Sequence, residues 1–212
     1  TRLQVLQSEA VRQITRTSDI DLAEPGRSKC AYFIILDDQN SSLEFLSSLF
    51  FAFLFIRLVR YADSTPEQRC AVPVNIVLDE MNNIGVIPDL SRRLSTIRSR
   101  SLQVLMCCQN LPQIQNRYPN NLWAELLGNA DTQLMLGCTD DVSAEFFSAR
   151  SGDMTVEVNS TMTTRQSIAV AQVIPQYRYT EGLGRRRLLT SDEVLRLPND
   201  QLLIIIRGQK IL

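Results

Sequence analysis

Short, continuous apolar runs alternate along the chain with longer stretches of helical spacing. The runs at 31–36 (AYFIIL), 74–78 (VNIVL), 102–108 (LQVLMCC), 132–136 (TQLML) and 202–206 (LLIII) read as buried strands. Between the first two, Ser41 with Glu44 three residues on forms a capping box that opens a long helix to about Tyr61. Pro88 suits a first helical position, and Leu90, Leu94 and Ile97 then recur at helical spacing to about Ser99. Polar helical pieces continue through Leu127. Asp140 and Asp141 suit the N-terminus of a helix running to about Arg150, and Thr190 with Glu193 repeats the capping box. Residues 158–187, polar and Ser/Thr-rich with Gly182 and Gly184, read as an extended or mobile insertion. Fully apolar strands alternating with helices predict an α/β fold, a parallel sheet with helices on both faces.

One strand ends unusually. Val74 to Leu78 is followed directly by Asp79 and Glu80. Burying a carboxylate costs several kcal/mol unless it is paired or binds a metal, so a strand ending in two acids either opens into a site or runs out into a solvated turn. The run at 102–108 ends beside Gln109. In open parallel sheets ligands bind beyond the carboxyl ends of the strands, so these acids and this amide share a crevice if their strands are neighbours. Gln109 alone is equally a polar strand cap. Arg98, near the end of the helix between the strands, either complements the helix dipole or reaches a phosphate on a neighbouring subunit. From Gly85 to Tyr118 five arginines (Arg92, Arg93, Arg98, Arg100 and Arg117) stand against one acid, Asp89. That stretch is a candidate contact for a phosphate backbone or an ordinary solvated face; Arg185 to Arg187 reads as a loop charge run.

Composition narrows the chemistry. The 212 residues carry a net charge of −1, which excludes a global basic field that recruits nucleic acid. Histidine is absent, removing His-dependent nucleophile systems and most zinc sites. Five cysteines without CxxC spacing sit in or beside apolar runs and read as structural thiols in a reducing, cytoplasmic environment. The apolar stretch at 45–56 is shorter than the roughly 20 residues of a membrane span and reads as a buried helix. No G-x-x-x-x-G-K-[ST] phosphate loop occurs, so the chain holds at best half of an ATP site.

Several separated motifs resemble one family in the right order: IVLDEMNNIG (76–85), STIRSRSLQV (95–104), CQNLPQI (108–114), SARSGDMTV (148–156) and RLLTSDEVLRLP (187–198). The chain resembles the C-terminal part of the nucleotide-binding domain of type IV secretion coupling proteins, the TraG/TraD-like conjugation ATPases. The resemblance covers essentially the whole chain. It implies a partial RecA-like domain over 1–212 with the P-loop portion absent, in a motor that uses ATP and Mg²⁺. It further implies a homo-oligomer in the form of a hexameric ring at the cytoplasmic face of the cell membrane, which brings DNA and relaxase substrates to the type IV secretion channel.

By position, Asp79 resembles the Mg²⁺-coordinating Walker B acid and Glu80 the catalytic one. Gln109 matches the glutamine sensor and Arg98 the arginine offered to the adjacent subunit. Met81 stands where the family often has Phe or Leu. The phosphate loop, membrane anchor and all-helical domain are expected N-terminal of Thr1, so the chain is expected to be a fragment, inactive alone, of an intact ATPase. The rival expectations are a non-catalytic docking module and another RecA-like DNA translocase, the latter disfavoured by the motif at 187–198.

Overall fold

The computed structural model describes residues 9–36, 44–168 and 172–209. They form two compact units, 1–131 and 132–212.

The first unit contains helices α1 (Glu9–Thr15), α2 (Glu24–Arg27) and α3 (Glu44–Ser64), strand β1 (Val74–Leu78), α4 (Leu90–Ile97), β2 (Leu102–Met106), α5 (Leu111–Arg117) and α6 (Leu122–Gly128). No glycine or proline interrupts α3. It buries Ser47, Phe51, Phe55, Leu58 and Ala62, a stripe at intervals of three or four residues. Phe55 and Leu58 are wholly buried, each contributing about 1.5–3 kcal/mol of transfer free energy. The helix ends where Ser64 and Thr65 turn their hydroxyls onto the Tyr61 and Ala62 carbonyls, just before Pro66. With 21 residues and a mean hydropathy of 1.6, α3 is long and apolar enough to cross a membrane, yet its stripe packs into this unit's core. The helix is longer than the apolar stretch alone indicated, because Arg57, Arg60 and Asp63 continue it on its exposed side.

β1 and β2 pair in parallel, Val74 opposite Leu102 through Leu78 opposite Met106. Val74, Ile76 and Leu78 turn inward while Asn75 and Val77 are exposed. The ladder continues past the strand ends: Cys107 N–H donates to Leu78 O, and Met81 N–H to Cys107 O, both at 3.0 Å. α4 packs on β2 and α6, with Leu90, Leu102 and Leu126 fully buried.

The second unit holds β3 (Thr132–Met135), α7 (Asp141–Ser151), β4 (Asp153–Ile168), β5 (Gln172–Arg187), α8 (Ser191–Leu195) and β6 (Leu203–Ile206). Its core gathers Met135, Ala144, Val194 and Leu203. Asp140 caps α7 by accepting from Ser143 N–H at 2.8 Å, and Thr190 with Glu193 forms the capping box of α8. The segment read as extended or mobile lies in a long antiparallel ribbon, β4 against β5, from Asp153 opposite Arg187 to Ile168 opposite Gln172. Gly184 sits opposite Val156, where an added Cβ would come within 2.8 Å of Val158 Cγ2.

Several expectations need correction. Residues 31–36 are not in a strand: Phe33 and Ile35 are 89% and 93% exposed. A strand needs a neighbour to take its backbone hydrogen bonds, and the described residues supply none there. β6 is not part of a parallel sheet but pairs antiparallel with β3, and Ile204 and Ile206 are exposed. Pro88 precedes α4 rather than opening it, since Asp89 occupies the cap position with φ +54. Cys30 is exposed, although Cys70 is buried as a structural thiol should be. The turn at 37–40 and the capping residue Ser41 lie outside the described residues; the Glu44 carboxylate is engaged by Arg117.

Candidate functional site

The parallel pairing of β1 with β2 brings the two polar strand ends side by side. Glu80 and Gln109 line one cleft of about 320 Å³ together with Asn82, Asn83, Gln113 and Arg117. Asp79, exposed, precedes them at the end of β1. A larger open trough of about 1330 Å³, between residues 15–36 and α3, reaches Asn83 at one end. It mixes apolar groups such as Ile34, Ile35, Phe50 and Phe53 with charged ones such as Asp19, Arg57 and Arg60, whereas the smaller cleft is the one that gathers the polar strand ends.

The loop after β1 is pinned from several sides. Glu80 adopts φ +47, ψ 55, the left-handed region, and leads into a 3-10 turn, Met81–Asn83. Its carboxylate accepts from Asn83 Nδ2 at 2.8 Å. Gly85, at φ +86, passes the first turn of α3 so closely that a Cβ would lie 3.0 Å from Glu44 O. Further along, Ser48 Oγ donates to Val86 O, and Ile87 N–H donates to the Tyr118 hydroxyl at 3.2 Å. Burial pushes the Tyr118 phenol above its ordinary pKa.

Facing this loop is the polar side of α5. Asn110 caps the helix by accepting from Gln113 N–H at 3.0 Å, with Pro112 in the first turn. Gln113 and Arg117, four residues apart, share a face of α5, and Gln109 precedes its cap residue Asn110. Asn82 Nδ2 donates to Gln113 Oε1 at 2.6 Å, and Gln113 Nε2 donates to Gln109 Oε1 at 3.3 Å. Arg117 grips Glu44 through both guanidinium NH groups, which holds the Glu44 carboxyl below its usual pKa. Asn82, Asn83 and Gln113 are not singled out by the sequence, and Arg117 only as part of the basic stretch. The signal that could have found Gln113 is its place four residues after Gln109; for Asn82 and Asn83 it is simply that they follow the two acids.

Arg98 is not in this cleft. It starts the 3-10 turn Arg98–Arg100 before β2, whereas Gln109 follows that strand, so a strand of about 17 Å separates them. Arg98 pairs with Asp131 at 2.9 Å and remains 81% exposed in its side chain. Elsewhere in the basic stretch three arginines are engaged internally: Arg93 on Pro88 and Ala52 carbonyls, Arg100 on Asp63, Arg117 on Glu44. In the triple-arginine run, Arg185, Arg186 and Arg187 pair with Asp153, Glu193 and Glu145.

Among the described residues no group of three or more His, Cys, Asp or Glu is placed to hold a metal. A Mg²⁺ shared with phosphates needs only one or two protein carboxylates; Glu80 lines the cleft, whereas Asp79, its neighbour in sequence, is exposed and is not among the lining residues. The grip on a triphosphate is a different matter, because Arg117, the one cation lining the cleft among the described residues, is committed to Glu44. The donor set fits the metal and water side of a nucleotide site and does not fit its phosphate cradle.

Residues 73–199, from just before β1 to beyond α8, match the family described as the TraM recognition site of TraD and TraG. The chain belongs to this family. The matched region contains the acid loop, the polar face of α5 and the whole β4–β5 ribbon of this chain. Similar solved structures include the bacterial conjugative coupling protein TrwBdeltaN70 in its unbound monoclinic form. It matches with a TM-score of 0.58 at 18% identity, covering 80% of this chain and 36% of that one. The plasmid coupling protein TrwB with the ATP analogue ADPNP gives 0.58 at 17%, covering 80% and 35%. TrwB with ADP and Mg²⁺ gives 0.56 at 17%, covering 80% and 36%. At these identities the likeness establishes the RecA-like α/β fold of the family member, which spans about a third of the length of those structures. Among curated proteins, none matches the chain significantly.

Proposed function

We propose that this chain forms the hydrolytic edge of a conjugative coupling protein, a motor in which ATP hydrolysis drives delivery of DNA and relaxase substrates to a secretion channel. The observation that carries this reading is the meeting of Glu80 and Gln109 in one cleft at the carboxyl ends of parallel strands, within a region that belongs to a coupling-protein family. The TrwB complexes with ADPNP and with ADP and Mg²⁺ support nucleotide and Mg²⁺ as the ligands.

In this reading Asp79 holds Mg²⁺, which when bound offsets phosphate charge. Glu80, fixed by Asn83, takes a proton from the attacking water, and Gln109 reads the phosphate end. The phosphate cradle comes from the rest of the protein. Arg98, exposed and well away from its own chain's cleft, is offered to the site of an adjacent copy in a ring, and the ring works at the cytoplasmic face of the membrane.

Substitution Glu80→Gln in the full-length protein tests the assignment. It is expected to abolish ATP turnover while nucleotide binding persists; turnover at the wild-type rate overturns the catalytic role. A second reading, a recognition module without catalysis, is favoured by the family's description as a TraM recognition site. Under that reading the same substitution leaves both turnover and partner capture unchanged.

A further inference from the structure

Gln109 is exposed at the cleft, and nothing in its own rotamer preference decides which end of its carboxamide faces inward, since the terminal torsion is roughly two-fold. Its neighbours decide. Asn82 Nδ2 donates to Gln113 Oε1 at 2.6 Å, which leaves the Gln113 amide nitrogen to donate onward to Gln109 Oε1 at 3.3 Å. The Gln109 carbonyl is thereby committed to the protein, and its NH₂ is the group left for the cleft. We propose that Asn82 and Gln113 are positioning residues that set Gln109 as a hydrogen-bond donor to an anionic oxygen, a phosphate oxygen, rather than as an acceptor from water. This rests on the hydrolytic reading of the cleft and specifies what Gln109 does there.

The relay runs from Asn82 through Gln113 to Gln109 between backbone segments that are held in place. Asn82 belongs to the turn directly after Glu80, and that turn is fixed to the segment after β2 by the Met81 N–H to Cys107 O bond. Gln113 is fixed by its own N–H on the Asn110 cap. Both relay residues are half-buried, so competing water is restricted, and the amide orientations present satisfy one another in sequence. The acid loop and the glutamine are therefore linked through side chains, and a shift of the loop alters the presentation of Gln109.

Two nearly isosteric substitutions reverse the relay without emptying it. In Asn82→Asp the new carboxylate only accepts, so Gln113 must turn its NH₂ towards it and Gln109 must then turn its own NH₂ towards Gln113. In Gln113→Glu the new carboxylate accepts from both neighbours, with the same result. In each variant the Gln109 carbonyl faces the cleft.

Hydrogen exchange of the side-chain amides, read by NMR on ¹⁵N-glutamine-labelled full-length protein, reports the orientation without nucleotide. The Gln109 NH₂ is expected to exchange freely in the wild type and to be protected in both variants. In ATP hydrolysis by the same protein, kcat is expected to fall about tenfold or more in each variant, as for a misaimed oxyanion donor, with KM within about twofold. Unchanged exchange of the Gln109 amide overturns the relay, and an unchanged kcat overturns its role. Wild-type turnover in Glu80→Gln overturns the hydrolytic reading separately, because the exchange measurement does not depend on it.

Discussion

Arg117 holds Glu44 by two hydrogen bonds of 2.8 Å, tying the last turn of α5 to the first turn of α3. Arg117 lines the polar cleft, and the pair is only partly exposed, at 34% and 28% of the two side chains. It also withholds the cleft's cation from any anion that enters.

Glu44→Gln should lower stability at neutral pH by about 1 kcal/mol, the scale of a partly screened bidentate pair. The hydrogen bond from Arg117 lowers the folded pKa of Glu44 beneath its ordinary 4.5. The stabilisation is thus present above that value and is lost as pH falls through the lower, folded one. Thermal melts of both proteins should differ at neutral pH and converge in acid; a gap that persists at pH values well under 4.5 contradicts the pairing.

Gly85→Ala should cost about 1–3 kcal/mol. The position combines φ +86 with a backbone oxygen 3.0 Å from the incoming methyl. Urea unfolding measures this, and a loss within error would mean that the loop yields easily.

Arg98→Ala should change stability by less than about 1 kcal/mol, because its pair with Asp131 is exposed. If Arg98 serves an adjacent copy, ATP turnover of the full-length protein should fall on the order of 10³-fold, as for an arginine finger. Turnover that tracks the small stability change would remove the residue from the mechanism.

Calorimetry of this 212-residue chain with ATP should show no saturable binding. Micromolar affinity would place a phosphate grip within these residues and contradict the division of the site.

The strands at 74–78 and 102–106 were legible because residues such as Val74, Ile76, Leu78 and Leu102 pack against a core, and that preference is written locally. So was the meeting of Glu80 with Gln109, which follows once parallel neighbours end in polar residues. Residues 31–36 show the limit. Six apolar residues state a preference for burial, while a strand also requires a partner chain for its backbone, which no local pattern specifies. β6 failed in its pairing for a related reason, since a run of isoleucines carries no strand direction. Asn82 and Gln113 were opaque because a lone amide on a short element looks like solvated surface until the fold sets it opposite another.

The left-handed backbone at Glu80 makes position 80 a compound variable. Placing an L side chain at φ +47 costs on the order of 1–2 kcal/mol. Glycine there would remove the acid and relax the loop together, and valine would remove the acid and add strain. Either exchange confounds conformational energy with acidity. Glutamine retains the shape and the torsional penalty and deletes only the charge, so it alone isolates the carboxylate from the bend that presents it.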